Sequence, residues 1–265
     1  MVSMECLMRT ALFCLTIVAA ILAAALLSTA ALQANSSRPS ASTAESILLI
    51  AANRDRAAAG LHPLEWDPAL AVAARQHAQR MAQMNALSHQ FPGEPPMQDR
   101  ARHAGARFSL IAENVAEGPN VPGLHRQWMN SPPHRANLLD PGLNAVGIAV
   151  IQGVNTLFAV EDFATEVPTL SLNEQESQVA SEIAGRGIRA VNATPDARKT
   201  CALDRGWAGQ RPASVLRYET SDLRRLPDDV DQKVVSGKYH SAAVGACEAS
   251  GGGDFAHFRI AILLY

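Results

Sequence analysis

Two apolar runs constrain this chain most strongly. Asn144–Ile151 alternates Val146, Ile148 and Val150 with Ala145, Gly147 and Ala149. After a Gln152-Gly153 turn, Leu157–Ala164 reads as the return strand. This period of two between turn residues predicts an antiparallel hairpin. The segments before it predict helices that can cover such a sheet.

Ser42-Thr43-Ala44-Glu45 is a capping box, in which hydroxyl and carboxylate satisfy free helix amides. A helix follows to about Ala59, with Ile47, Ile50, Ala51 and Arg54 marking one face and Gly60 at its end. Asp67 caps a second helix that has Pro68 at its first position. Leu70, Ala73, Ala74, His77, Met81 and Met84 share a face of it, so His77 reads as a hydrogen-bonded core histidine. The helix is expected to end near Leu87. Phe91 to Ala106 reads as a loop, and Ser109–Val115 as a short helix or turn. A third main helix carries His125, Trp128 and Met129, with Trp128 in the core. Ser131-Pro132-Pro133 breaks it, and the two prolines give His134 a stiff backbone entry.

Pro168 marks a boundary. A second capping box, Ser171 to Glu174, opens a helix to about Ala184 that ends at Gly185. Short strands are expected at Val215–Tyr218, Tyr239–Cys247 and His257–Leu264, with a flexible turn at Ser250–Gly253. The final run, FRIAILLY, is apolar enough to be internal to a sheet. The order of segments gives an α+β class. No internal repeat is visible in the sequence.

The first thirty-odd residues stand apart. Arg9 precedes the uncharged apolar run Thr10–Leu27, and small residues follow it. Residues 1–34 read as a secretory signal peptide, or as an N-terminal anchor if uncleaved. Residues 35–42 are a linker. Either way the remainder is expected to be secreted, periplasmic or on the cell surface. Only Cys201 and Cys247 lie beyond this segment. In an oxidising compartment they read as a disulfide, the alternative being two buried thiols. The disulfide would close a loop of about 45 residues and contribute roughly 4 kcal/mol on the chain-entropy account. The net charge of −2 gives no general basic field, and no zinc-finger spacing or phosphate-cradling loop is present, so nucleic acid is not expected as a partner.

The stretch Ala112–Leu139 concentrates the remaining chemistry: Glu113, Trp128 and His134, with His89 upstream. Two neutral imidazoles can bind a divalent transition metal such as zinc. A carboxylate beside a histidine can instead orient it for acid–base work. Glu161 and Asp162 on the return strand could add charge. Asn114 and Asn137 read as residues that fix loops. Spacing alone does not bring these residues together.

Several pieces occur in a familiar order: NRDRAAAGLHPLEWDPAL, the Ala74–Ala82 helix, LSHQ, AENVAEG, QWMNSPPHRANLL and the VGIAV…FAVEDFA hairpin. Residues from about 44 to 165 thereby resemble the bacterial branch of the CAP superfamily, which unites cysteine-rich secretory proteins, antigen five and plant pathogenesis-related proteins. The resemblance implies an α-β-α sandwich with a central antiparallel sheet over 43–166. A small C-terminal α+β domain of unassigned role would occupy 170–265. It also implies a cleft of two histidines and two acids. His89 matches the first histidine, Glu113 the acid of the Glu-Asn motif and His134 the second histidine. The second acid of eukaryotic members falls at Ser131, so the cleft is His89, Glu113, His134 and Ser131, one carboxylate short.

Three functions follow as expectations. The first is an exported binding module whose cleft holds zinc or another divalent cation through His89 and His134, or a small ligand, lipid or cell-envelope component. The second is a zinc-dependent hydrolase or peptidase with Glu113 as general base. The third is a purely structural extracellular domain. A membrane partner is expected only if the N-terminal segment remains uncleaved.

Overall fold

The computed structural model describes residues 41–188, 190–249 and 255–265. The 1–34 targeting segment, most of the 35–42 linker and the expected 250–253 turn lie outside the described residues. No helix among the described residues is long and apolar enough to cross a membrane.

The first sheet has the order β1-β3-β4-β2. Strands β3 (Ala145–Gln152) and β4 (Leu157–Glu166) form the expected hairpin at its centre. Strand β2 (Phe108–Gly118) pairs antiparallel with β4, and the two-residue β1 (Glu65–Trp66) pairs parallel with β3. Helix α2 (Pro68–Met84) covers one face through Leu70, Ala74, Ala78 and Met81. Helices α1 (Thr43–Ala58), α4 (Val121–Asn130) and α5 (Pro132–Leu138) cover the other. There Leu48, Leu124, Trp128 and Leu138 meet Val146, Ile148 and Phe163. Because both faces are covered, consecutive hairpin residues are buried on opposite sides, which explains the near-continuous apolar run. This is the α-β-α sandwich expected of the sequence.

Four local expectations are corrected. Ser109–Val115 is strand, not helix or turn: polar Glu113 and Asn114 interrupt the apolar alternation although the backbone pairs with β4 from Leu110 onward, after an irregularity at Ser109. Within the expected loop, Met97–His103 forms the short helix α3. The second helix stops at Met84, where Asn85 adopts a left-handed conformation (φ 47°), and Met84 itself is exposed. Helix α1 buries Glu45, Leu48, Ala52 and Arg56, leaving Ile47 and Ile50 outward. Its inward face is chosen by two charged residues with fixed partners, which a hydrophobicity pattern scores as surface.

The C-terminal part builds a second sheet, order β5-β7-β8-β6, from Ala190–Ala193, Ser241–Cys247, Phe258–Leu264 and Ser214–Thr220 respectively. The final strand β8 is internal, as its composition predicts. Helices α6 (Leu172–Ala184), α7 (Pro195–Ala202) and α8 (Asp228–Val234) accompany it. Sequence reading missed β5, α7 and α8, which are short and carry little periodic signal. Val179, Ile183, Val230, Val244, Ile260 and Ile262 form its own core. Cys201 on α7 and Cys247 at the end of β7 form the expected disulfide.

Candidate functional site

Strand β2 lies at an edge of the first sheet, and its outward carbonyls are taken by side chains. Trp128 Nε1 donates to Val115 O at 3.1 Å, and Asn137 Nδ2 donates to Glu113 O at 3.2 Å. Asn114 Nδ2 donates to His134 O at 3.1 Å, and Asn137 Nδ2 donates to Asn114 Oδ1 at 2.9 Å. These bonds tie α4 and α5 to the strand, so the two asparagines do fix the backbone that carries His134. Pro132 and Pro133 open the first turn of α5, where an absent N–H costs nothing.

On the opposite face Glu113 meets the loop that leaves α2. His77, fully buried, holds that loop: its Nε2 lies 2.8 Å from Ser88 O and its Nδ1 2.7 Å from Glu94 Oε1. The core reading of His77 is thus confirmed. The next residue along, His89, places Nδ1 2.8 Å from Glu113 Oε1. Arg100 of α3 takes the other Glu113 oxygen. The His89 and His134 rings lie side by side, centroids 6.3 Å apart and planes tilted by 42°. All three principal residues expected from the sequence therefore meet.

The two histidines differ electrostatically. Its hydrogen bond to Glu113 raises the His89 pKa above the usual imidazole range. Partial burial, and then the neighbouring His89, lower that of His134. Ser131 joins α4 to α5, and its carbonyl accepts the Arg135 amide at 2.8 Å. Among the described residues its hydroxyl makes no hydrogen bond, and it brings no charge to the cleft.

A second carboxyl lies beside Glu113. Asp162 lies opposite Glu113 in the β2–β4 ladder, fully buried, with neither oxygen partnered by a donor. Burial first, then the charge of Glu113, hold its pKa well above the carboxylate range. Glu161, adjacent on β4, faces the other side under α5. Its only hydrogen-bond partner is Asn114 Nδ2, at 3.5 Å, and burial pushes its pKa up to about 8. Burial thus works against charge on both acids. Arg100 and Asp162 were not singled out as site residues by sequence reading. One sits in a proline-rich connection and the other in an apolar strand.

Glu161 has a measurable consequence. Between its ordinary value of 4.5 and about 8, the folded protein keeps a proton that the unfolded chain has released. Stability must therefore fall as pH rises through that window. Glu161→Gln is expected to lessen the fall by up to about 1.4 kcal/mol per pH unit, read from urea unfolding between pH 5 and 8. An unchanged slope would show that Glu161 is ionised in the fold.

Two imidazoles, one oriented by a carboxylate, fit two positions of a metal ion, and Glu113 fits the supporting role of a histidine's outer partner. Among the described residues no group of three or more histidine, cysteine or acidic side chains converges as a metal site. The two imidazoles alone do not form a closed structural site.

Residues 49–163 match the cysteine-rich secretory protein family, CAP. The chain is 33% identical over 101 residues to an uncharacterized protein, YkwD, of Bacillus subtilis, covering 38% of this chain and 39% of the relative. It is 31% identical over 109 residues to an uncharacterized membrane protein, YlbC, of the same bacterium, covering 41% and 32%. The chain thus spans well under half the length of either relative. Among solved structures it is similar to an extracellular protein containing an SCP domain from Bacillus anthracis. That match is 27% identical, covers 46% of this chain and 40% of the other, and has a TM-score of 0.43. With the sandwich, the Glu113-Asn114 strand and the paired histidines in place, the match to residues 49–163 identifies this part of the chain as a domain of the CAP family.

Proposed function

We propose that the chain is an exported CAP-domain binding module whose cleft holds a divalent metal ion, or a small envelope-derived ligand in the same place, between His89 and His134. The observation that carries this reading is the pair of neighbouring imidazoles, one held through Nδ1 by Glu113. That bond leaves His89 Nε2 as the nitrogen for a ligand. Export rests on the targeting character of residues 1–34.

An ion bound there would polarise water or a ligand oxygen. The hydrolase reading needs Glu113 free to take a proton. Both of its oxygens are engaged, one by His89 and one by Arg100. Binding therefore fits the geometry better than turnover.

The test is calorimetric titration of zinc into the folded protein near neutral pH. One ion per chain is expected, and no binding in His89→Ala or His134→Ala. Glu113→Gln is expected to weaken affinity about 10- to 100-fold, as loss of an outer partner does. No binding by the unaltered protein sinks the metal reading. Binding that survives both histidine substitutions places the ion elsewhere.

A further inference from the structure

The two sheets share more than a strand count. Their orders, β1-β3-β4-β2 and β5-β7-β8-β6, become identical when β1 to β4 are set against β5 to β8. The directions agree pair by pair. The first strand of each is parallel to the third, and both remaining pairs are antiparallel. Each half opens on a helix with a Ser/Glu capping box, Ser42/Glu45 and Ser171/Glu174. A short edge strand then leads into a helix with proline in its first turn.

The match holds to the single residue. Trp66 pairs with Val146, and the residue after Trp66 is the helix cap Asp67, followed by Pro68. Ala193 pairs with Val244, and the residue after Ala193 is the cap Thr194, followed by Pro195. The residue after each valine is a glycine in close contact with the helix. A Cβ on Gly147 would lie 2.0 Å from Ala71 N and 2.1 Å from Leu70 C. One on Gly245 would lie 2.1 Å from Ala197 C and 2.3 Å from Arg198 N. In both halves those are the third and fourth residues counting the proline as first. Matching order and direction alone could arise independently in two small sheets. A shared register with the same glycine under the same helical turn requires a common plan.

We infer that residues 171–265 are a second, shortened copy of the fold of residues 42–166, in which Arg217 stands where Glu113 stands and keeps only its loop-holding role. Across the first sheet Gly147 lies beside Asp162, and Asp162 beside Glu113. Across the second, Gly245 lies beside Ala261, and Ala261 beside Arg217. Glu113 reaches His89, in the loop after α2. Arg217 reaches the end of α7 and the loop after it, donating from Nε to Thr200 O at 3.1 Å and from its terminal nitrogen to Gly206 O. The same position thus pins the same loop in both copies, with a carboxylate and a histidine in one and a guanidinium and backbone carbonyls in the other. Between β6 and β7 the described residues hold one helix, α8, where the first copy has α4 and α5. Among the described residues, the second copy therefore has no counterpart of the acid pair or of the histidine pair. Arg217 is a positioning residue.

Hydrogen exchange on the full chain with its disulfide intact tests this without any ligand, so failure of the metal reading leaves it untouched. Arg217→Met is expected to lower amide protection about 10-fold or more across residues 203–209, the loss of charged hydrogen bonds, with residues 85–91 unchanged. Glu113→Gln is expected to do the converse. Unchanged protection at 203–209 in folded Arg217→Met would overturn the positioning role. If that variant does not fold, Arg217→Lys is used, and wild-type protection there overturns the role equally. A crystal structure of the full chain tests the shared plan. Placing β7, β8 and α7 on β3, β4 and α2 with Gly245 on Gly147 must bring Arg217 onto Glu113. An offset of one residue or more overturns it.

Discussion

Gly147→Val is expected to cost about 4 kcal/mol or more, a loss confined to a few severe mechanisms, and to lower the melting temperature by roughly 10 °C or more. Gly147 lies in the central strand β3, where even a Cβ would overlap the backbone of α2 at Leu70 and Ala71. A clash with a flexible side-chain tip relaxes cheaply. A clash with helical backbone must push α2 away from β3 and β4, opening the packing of Leu70, Ala74 and Met81. Gly60→Ala is the comparison. Gly60 has φ +72° with nothing within 4 Å of its Cβ position, so only backbone strain applies, about 1 kcal/mol. Thermal melting of both variants separates the two causes. Equal shifts would show that close approach is not what selects glycine at 147.

Arg56→Met is expected to cost about 3–5 kcal/mol by denaturant unfolding, several times the net worth of one ordinary hydrogen bond. Arg56 is fully buried on α1 and its guanidinium serves four carbonyls. It donates to His62 O at 2.8 Å, Leu138 O at 3.0 Å, Asp140 O at 2.9 Å and Leu143 O at 2.9 Å. Burial lowers its pKa, opposed by the charge of Asp140. Methionine fills much of the volume but leaves buried carbonyls without donors, and that penalty dominates. Arg56→Lys keeps the charge as a point and cannot reproduce the planar fork, so it is expected to recover less than half of the loss. Leu138 ends α5 and Asp140 lies just beyond it, so the same substitution is expected to loosen the helix that carries His134. A methionine variant of unchanged midpoint would mean that water replaces the guanidinium.

The hairpin, the two capping boxes and the Asp67-Pro68 helix start were legible because each is a local pattern with one physical solution. The disulfide was legible from cysteine count and compartment. Strand β2 was not, because the residues that make the cleft, Glu113 and Asn114, are the ones that spoil a strand's alternation. The inward face of α1 was misread for a related reason. Glu45 is buried against Arg75 and the Ser42 amide, and Arg56 against carbonyls, so the burial of both depends on partners distant in the chain.

His89, Glu113 and His134 were each identified from the sequence through a resemblance to a family, while their meeting was decided by the fold. The ladder register sets Asp162 opposite Glu113, and burial then raises its pKa. No reading of the apolar strand LFAVEDFA could assign that shift. The shared plan of the two halves is equally invisible in sequence, since its matched anchors are few: a capped proline, a valine-glycine step and a capping box. Local chemistry thus determined which segments are helices and hairpins. Long-range pairing decided which charged residues are buried, which are shifted in pKa and which lie side by side, because those properties depend on neighbours that only register and packing supply.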